Sequence, residues 1–175
     1  MPASSFLIHP TNTMVAHPTH TSFYVPWQCL VYFAVSAMGA TPIDGKTELN
    51  PEGLTAATGK HASAVAQRLA AGGLSCSVLD ATAYRSSMLE KLVWISAFMA
   101  VGAQHHCTVG EVEAQHPAEV SELVGELLVG GRKALGLPSV SAAEHTQAVD
   151  RLNAYARSVA HFPTAMKEFE WRNGT

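Results

Sequence analysis

Cysteine is scarce in this sequence, and its spacing excludes two common uses. The three cysteines, Cys29, Cys76 and Cys107, are odd in number and far apart. They therefore form neither a disulfide framework nor a C-x-x-C zinc motif. This pattern indicates a reducing compartment, so we expect an intracellular protein of the cytoplasm or a plastid.

Long apolar runs and basic clusters are also lacking. The longest apolar run, from Leu92 to Ala103, is shorter than the ~20 residues that a membrane-spanning helix needs. The net charge is -3 and no basic block occurs, so binding to nucleic acid or an anionic membrane has no electrostatic support. Residues 1–22 contain no lysine or arginine, unlike a secretory signal or a transit peptide. We interpret them as a flexible tail, or as the accidental start of a truncated reading frame.

The sequence does contain enough apolar material for a core, because 47% of its residues are hydrophobic and only 14% are charged. Residues 23–35 are aromatic and β-branched, and their continuous run Leu30–Val35 predicts a strand buried on both faces. The patterns that follow predict a loop at 39–53, a helix at 59–69 ending at Gly72-Gly73, and a short strand at 74–79. The strand–helix–strand order predicts an α/β unit over residues 23–82.

From about residue 83 onwards every periodic segment is helical. Residues 84–105 are apolar on every face, which predicts a central, buried helix. Two S/T-x-x-E capping boxes, starting at Thr108 and Ser141, predict further helix starts. The remaining patterns predict a helix from Pro117 to about Gly136, one from 142 to 160, and a short one from Met166 to Trp171. The chain is therefore predicted to be α+β overall, with an all-α domain at 83–175.

Lys91 is the first candidate for chemistry, because it lies on the otherwise apolar helix one turn before Ile95. Partial burial would lower the pKa of its ammonium towards neutrality, which suits a proton donor to a developing alkoxide. The alternative is a solvated lysine whose ammonium lies beside Glu90. Near the C-terminus, Glu168 is four residues before Arg172, and by itself this spacing predicts only an ion pair on a helix surface.

Nine histidines raise the possibility of a metal site, but their positions argue against one. His9, His17 and His20 lie in the tail, where no second layer of residues could orient them. His105-His106-Cys107 are adjacent and would point in different directions on a helix, so we place them at a helix end, where cationic side chains favour the macrodipole. Adjacency also gives no sign of a nucleophilic Cys–His pair. No metal site is predicted.

Phosphate-binding motifs are absent from the sequence. It contains neither G-x-G-x-x-G nor G-x-x-x-x-G-K-[ST]. Gly125, Gly130 and Gly131 lie inside a helical pattern, and Gly72-Gly73 follows a helix instead of opening one. A turn that cradles a diphosphate at a helix N-terminus is therefore not predicted.

Several segments, taken in order, resemble the ketopantoate reductases, in particular a divergent group from photosynthetic lineages. VYFAVSAMGATPIDGKTELNPEGLTAATGKHA resembles the end of that family's nucleotide-binding domain, and MLEKLVWISAF resembles the K-L-x-x-N opening of its C-terminal domain. TVGEV resembles the next helix start, and HFPTAMKEFEWRNG resembles the closing glutamate motif. The resemblance covers roughly residues 28–174. It implies the remnant of a Rossmann-type domain at 23–82, followed by a helical domain like the 6-phosphogluconate dehydrogenase C-terminal-like fold.

By that resemblance, the activity of the lineage is NADPH-dependent reduction of a 2-oxo acid, with ketopantoate of pantothenate biosynthesis as the type substrate. The resemblance assigns the general acid to Lys91, and to Glu168 the contact with substrate or cofactor ribose. The sequence departs from the family at Ile95 and Val109, where asparagines are expected, and in lacking the glycine fingerprint.

We therefore expect the chain alone to bind no NADPH and to be inactive. The alternatives are a non-catalytic helical module or pseudoenzyme, and an incomplete gene model. Open strands at the edge of the α/β unit favour self-association or a partner chain that completes the sheet.

Overall fold

The computed structural model describes residues 27–33, 35 and 38–164. Within these residues the chain is α+β, as predicted, and mostly helical. Three strands and five helices follow one another as β1 (Trp27–Leu30), β2 (Ala56–Gly59), α1 (Ala62–Ala71), β3 (Ser77–Val78), α2 (Ala81–His105), α3 (Val109–Gln115), α4 (Pro117–Ala134) and α5 (Ala142–Ser158). The predicted helix at Met166–Trp171 lies outside the described residues, as does the predicted tail.

The strands form one small sheet in the order β1-β2-β3. β1 pairs with β2 in antiparallel fashion, while β2 and β3 are parallel and joined by α1. β2 was not predicted from the sequence, because its residues, AATG, include no aromatic residue and only one that is β-branched. Ala56 and Ala57 are buried nonetheless, and α2 packs against this strand. The strand exists because of its long-range pairing and not because of its local composition.

The prediction of a strand over Leu30–Val35 buried on both faces was wrong. β1 ends at Leu30, and beyond it Tyr32 is buried while Val31 and Val35 are exposed. The regular pairing stops because the next contact is made by a side chain: the Tyr32 amide donates to Thr55 Oγ1 at 3.0 Å. Among the described strands, β1 is an edge strand, and only one of its faces is covered.

Helix α2 begins at Ala81, three residues before the predicted start. The Asp80 carboxylate accepts hydrogen bonds from the Thr82 and Ala83 amides at 2.8 and 2.9 Å, which is the usual role of an N-cap aspartate. The helix occupies the predicted central position, since it packs against α3, α4, α5 and β2. Its apolar surface is not completely covered, however, because Ile95 is 38% exposed.

The helices after α2 agree closely with their sequence signals. Both capping boxes form: the Thr108 hydroxyl accepts from the Glu111 amide, and the Ser141 hydroxyl accepts from the Glu144 amide. Pro117 is the first residue of α4. None of the described helices is long and apolar enough to cross a membrane.

The sheet and the helices share one hydrophobic cluster, in which Leu30 and Tyr32 pack together with residues of α2 to α5. Aromatic rings make the central contacts. The Tyr155 ring lies edge-on to that of Tyr32 at 4.9 Å and to that of Trp94 at 4.8 Å between centroids, and Trp94 stacks on Phe98 at 5.5 Å. Tyr155 thus connects the segment after β1 to the centre of the bundle.

Candidate functional site

Lys91 lies where α2 crosses the end of β1. Its ammonium donates a hydrogen bond to the Val31 carbonyl oxygen and lies 4.3 Å from the centroid of the Tyr32 ring. Burial lowers the pKa of Lys91 to about 8. A group with this pKa is mostly protonated at neutral pH, so the side chain keeps a proton. That ammonium is already bound, however, to a backbone carbonyl and an aromatic face.

Two thiols and a phenol surround the same end of the sheet. Burial raises the pKa of Cys29 to about 11, with the neighbouring Cys76 thiol adding to the shift. Burial also raises the pKa of Tyr84 to about 12, and the two cysteines contribute. These groups are therefore neutral at physiological pH, and none of them supplies an anion to Lys91. Reactive thiolates are not expected here, because high pKa values disfavour the nucleophilic form.

A cavity of about 310 Å³ lies on another side of Tyr32, between the sheet, α2 and α5. Its polar lining consists of Asn50, Glu52, Ser77, Ser87, Glu90 and Arg151. Lys91 does not line it, because Ser87 and Glu90 face the cavity while Lys91 faces β1. The cavity and the predicted acid are thus close together but not combined into one site.

An ion pair dominates the charge of this cavity. Arg151 donates to both carboxylate oxygens of Glu90, at 2.6 Å from one guanidinium nitrogen and 3.3 Å from Nε. Two-pronged pairing of this kind holds both side chains in a fixed geometry. Because Glu90 already neutralises Arg151 and Glu52 adds another negative charge, the cavity does not attract an anion. It favours a neutral or cationic molecule over the carboxylate of a 2-oxo acid.

Asn50 has one polar atom without a protein partner. Its Nδ2 donates to Glu52 Oε1 at 3.2 Å, which leaves Oδ1 buried and without a hydrogen bond to any described residue. An unpaired buried carbonyl costs about 1–3 kcal/mol, so a donor in the cavity would be stabilised by Oδ1 if a rotation of the Asn50 side chain exposed this oxygen to it. This makes Asn50 the most specific feature of the cavity.

The residues that the family resemblance singled out have different positions. Lys91 is half-buried at the junction, and Ile95 lies one turn further along α2, partly exposed. Val109 is fully buried, and its amide donates to the Phe162 carbonyl, so it belongs to the packing of α3. Glu168 lies outside the described residues, and its assigned role stays a prediction.

Other residues of the site had little or no signal in the sequence. Glu90 and Arg151 are 61 positions apart, and Lys91 and Val31 are 60 apart, so no local pattern could have paired them. Tyr32 was interpreted as one residue of an apolar run, although its ring contacts Lys91 and lines the cavity.

The fold and the site thus define an α+β protein with a half-buried lysine at the junction of its sheet and helices, and a polar cavity beside it. No protein-family model, curated protein or solved structure matches this chain.

Proposed function

We propose that this chain is a ketopantoate-reductase-like protein in which Lys91, at the position of the catalytic lysine, has a structural role. We also propose that the chain alone does not catalyse hydride transfer. The supporting observation is the pair of contacts made by the ammonium, to the Val31 carbonyl and to the Tyr32 ring. The polar cavity lies elsewhere, and the neighbouring Ile95 cannot hydrogen-bond a substrate. The sequence also contains no dinucleotide-binding glycine motif.

The contacts favour the structural role. The hydrogen bond to the Val31 carbonyl and the contact with the Tyr32 ring offset part of the cost of burying the ammonium, a cost that the lowered pKa of Lys91 reflects. A lysine acting as a general acid would have to leave both partners on each turnover. The two contacts also connect α2 to the segment after β1, where the regular strand pairing has already ended.

The test combines binding, activity and amide-exchange measurements on the full chain. We expect no saturable change in nicotinamide fluorescence with NADPH up to the millimolar range, and no oxidation of NADPH with ketopantoate. Lys91→Met should accelerate amide exchange at Val31 and Tyr32, because it removes the contacts that hold this segment to α2, whereas Lys60→Met, at an exposed turn position, should leave that exchange unchanged. Micromolar NADPH binding, or turnover that Lys91→Met abolishes without accelerating that exchange, would instead make Lys91 a general acid.

The finer fold assignment belongs to the same proposal. We assign α2 to α5 to a helical domain like the C-terminal domain of ketopantoate reductases, and the sheet with α1 to the remnant of a Rossmann-type domain. The parallel pairing of β2 and β3 through α1 supports the second assignment, because such a connection is the unit from which that fold is built.

Self-association through the sheet is part of the proposal as well. Cys29, Val31 and Val35 are exposed along β1 and the segment that follows it, and an edge of this kind pairs readily with another strand. Sedimentation equilibrium should show a dimer or a larger species that Val31→Lys weakens. A monomer at all concentrations would exclude this part. The three cysteines, Cys29, Cys76 and Cys107, are free thiols, which agrees with the proposed intracellular compartment.

Binding of a small polar molecule is a second candidate function, and the unpaired Asn50 Oδ1 favours it. The ligand would be a neutral or cationic molecule that carries an N–H or O–H donor, because the lining has a surplus of carboxylates. Amide chemical shifts should move around Gly53 and Ser77 when amines or polyols are added. Asn50→Leu should abolish those changes, and an unchanged response in this variant would rule the site out.

A further inference from the structure

Two histidines and a glutamate converge at the end of α2, outside the cavity described above. His105 is the last residue of α2, His116 separates α3 from α4, and Glu119 is in the first turn of α4. One nitrogen from each histidine and one carboxylate oxygen lie within 4.8 Å of one another. From the sequence, only the adjacent residues His106 and Cys107 were considered together with His105, so no metal site was predicted.

The carboxylate oxygen is the common point of this cluster. Glu119 Oε2 lies 2.8 Å from His105 Nε2 and 3.9 Å from His116 Nδ1. The two imidazole rings are stacked with their centroids 3.8 Å apart and an angle of 14° between their planes. One nitrogen of each histidine therefore lies beside the Glu119 carboxylate, although the two histidines are 11 positions apart in the sequence.

The backbone fixes the relative positions of the three residues. The capping box at Thr108 and Glu111 sets the start of α3, and the His116 amide donates to Val112 at the end of that helix. Pro117 then starts α4, which places Glu119 one turn after His116. The side chains themselves are only partly buried, so they can adjust by rotation about their torsions.

We propose that His105, His116 and Glu119 bind a divalent transition metal ion, with Zn²⁺ as the best match. Two imidazoles and one carboxylate are a ligand set typical of Zn²⁺ sites that leave the fourth position open. In a tetrahedral site with bonds of ~2.0–2.2 Å the ligand atoms are about 3.3–3.6 Å apart, so the His105–Glu119 pair at 2.8 Å must move apart, the longer distances must shorten, and the rings must turn out of their stack. The open position would take water or a small anionic ligand.

The ion would connect the C-terminal end of α2 to the N-terminal end of α4. Without metal, the same residues can form a hydrogen-bonded cluster in which the carboxylate also benefits from the N-terminal dipole of α4. The two interpretations differ in one measurable property, which is whether the cluster binds an added ion with a defined stoichiometry.

The experiment uses the full chain without an affinity tag and titrates Zn²⁺ by calorimetry. We expect one site per chain with micromolar or tighter affinity. His105→Ala, His116→Ala and Glu119→Gln should each weaken it at least about tenfold. Co²⁺ should give the intense visible absorption of a tetrahedral site. The matched control is His106→Asn, which removes the adjacent histidine. Asparagine can adopt the left-handed backbone conformation of His106, whose φ is 56°.

Circular dichroism of each variant verifies that it is folded, and Glu119→Gln retains the shape of the side chain if an alanine variant does not fold. Equal Zn²⁺ affinity in the wild type and all three cluster variants would overturn the proposal, because the ion would then be bound elsewhere, for example by the other histidines. Loss of binding in the His106→Asn control would overturn it as well. Absence of any Zn²⁺ or Co²⁺ binding would leave the hydrogen-bonded cluster as the correct description.

Discussion

The sheet region, residues 27–80, and the helical bundle, residues 81–164, are stabilised in different ways. The bundle buries large side chains, such as Phe98 and Leu152, between helices whose ends are capped by their own residues. The sheet has strands of two to four residues, and its most buried strand carries Ala56 and Ala57. Strands this short are marginal by themselves. The sheet therefore depends on its contacts to α2 and α5.

Besides the shared hydrophobic cluster, the two regions are joined by polar and aromatic contacts at a few points. Lys91 binds the Val31 carbonyl, Arg157 pairs with Glu48, and the Tyr32 ring packs on Tyr155. Since these contacts are few, the sheet should open locally before the whole chain unfolds, as is common for regions with few buried apolar contacts.

Removing Phe98 should have the largest effect and should unfold both regions together. Its side chain is fully buried and stacks on Trp94, so Phe98→Ala leaves a cavity and should cost about 3–5 kcal/mol. Urea unfolding followed by circular dichroism measures the loss, and amide exchange should show it in sheet and bundle alike. Val129→Ala, at a position 64% exposed, is the control and should change stability by less than about 0.5 kcal/mol. A sheet that keeps its protection in Phe98→Ala would contradict its dependence on the bundle.

Thr55→Val should destabilise the sheet region without destabilising the bundle. Thr55 is fully buried, and the variant keeps its shape but leaves the Tyr32 amide without its acceptor, which should cost about 1–3 kcal/mol. We expect faster amide exchange in β1 and β2, with that of α2 to α5 unchanged. Thr58→Val, on the same strand, is the control, because the Thr58 hydroxyl makes no hydrogen bond to a described residue. If exchange accelerates equally in the bundle, the regions unfold as one unit.

The same division decides how much could be predicted from the sequence. Capping boxes, Pro117 and the apolar stripes are local signals, and the helices of the bundle were predicted from them almost residue by residue. β2 has no such signal, because its pairing partners are distant in the sequence. Ala57 pairs with Cys29, 28 residues before it, and with Val78, 21 residues after it. β3 was predicted at 74–79 but contains only Ser77 and Val78, because its length depends on how far it pairs with β2.

Site prediction followed the same pattern. Lys91 was identified because a lysine on a mainly apolar helix is visible in the sequence, and its lowered pKa agrees with the interpretation of partial burial. Its partners could not be identified, because they depend on how β1 ends. The pairing of His105 with His116 and Glu119 was missed because adjacent residues were compared, whereas α3, which lies between α2 and α4, brings these three together.

Two glycines of the bundle provide a finer test of its packing. A Cβ on Gly110 would lie 2.6 Å from the Ala160 Cβ, whereas one on Gly130 would meet no atom within 4 Å. Gly130→Ala should therefore stabilise the chain by about 1 kcal/mol through helix propensity. Gly110→Ala should destabilise it by about 1 kcal/mol net, because overpacking outweighs the same gain. Thermal unfolding of the two variants measures the difference, and equal shifts would mean that α3 and the chain after α5 are not in close contact.

The smallest expected effect is a pH dependence confined to the sheet region. Burial alone would raise the pKa of Asp44, but hydrogen bonds from the Ser75 amide and hydroxyl, together with Lys46, hold it below its ordinary value of 3.8. A carboxylate with a lowered pKa in the folded state stabilises the fold above its unfolded pKa, and this contribution disappears as the pH falls through the folded value.

As the pH falls from about 5 to about 3, the wild type should lose more stability than Asp44→Asn. The difference between the two losses should be less than about 1 kcal/mol. Unfolding in urea at each pH gives the comparison, and Asp150→Asn, at an exposed position of α5, should follow the wild type. The chemical shift of Ser75 should titrate together with the loss, since its amide donates to the Asp44 carboxylate. Parallel curves for the wild type and Asp44→Asn would show that the loop before β2 is not held to the chain before β3 by this carboxylate.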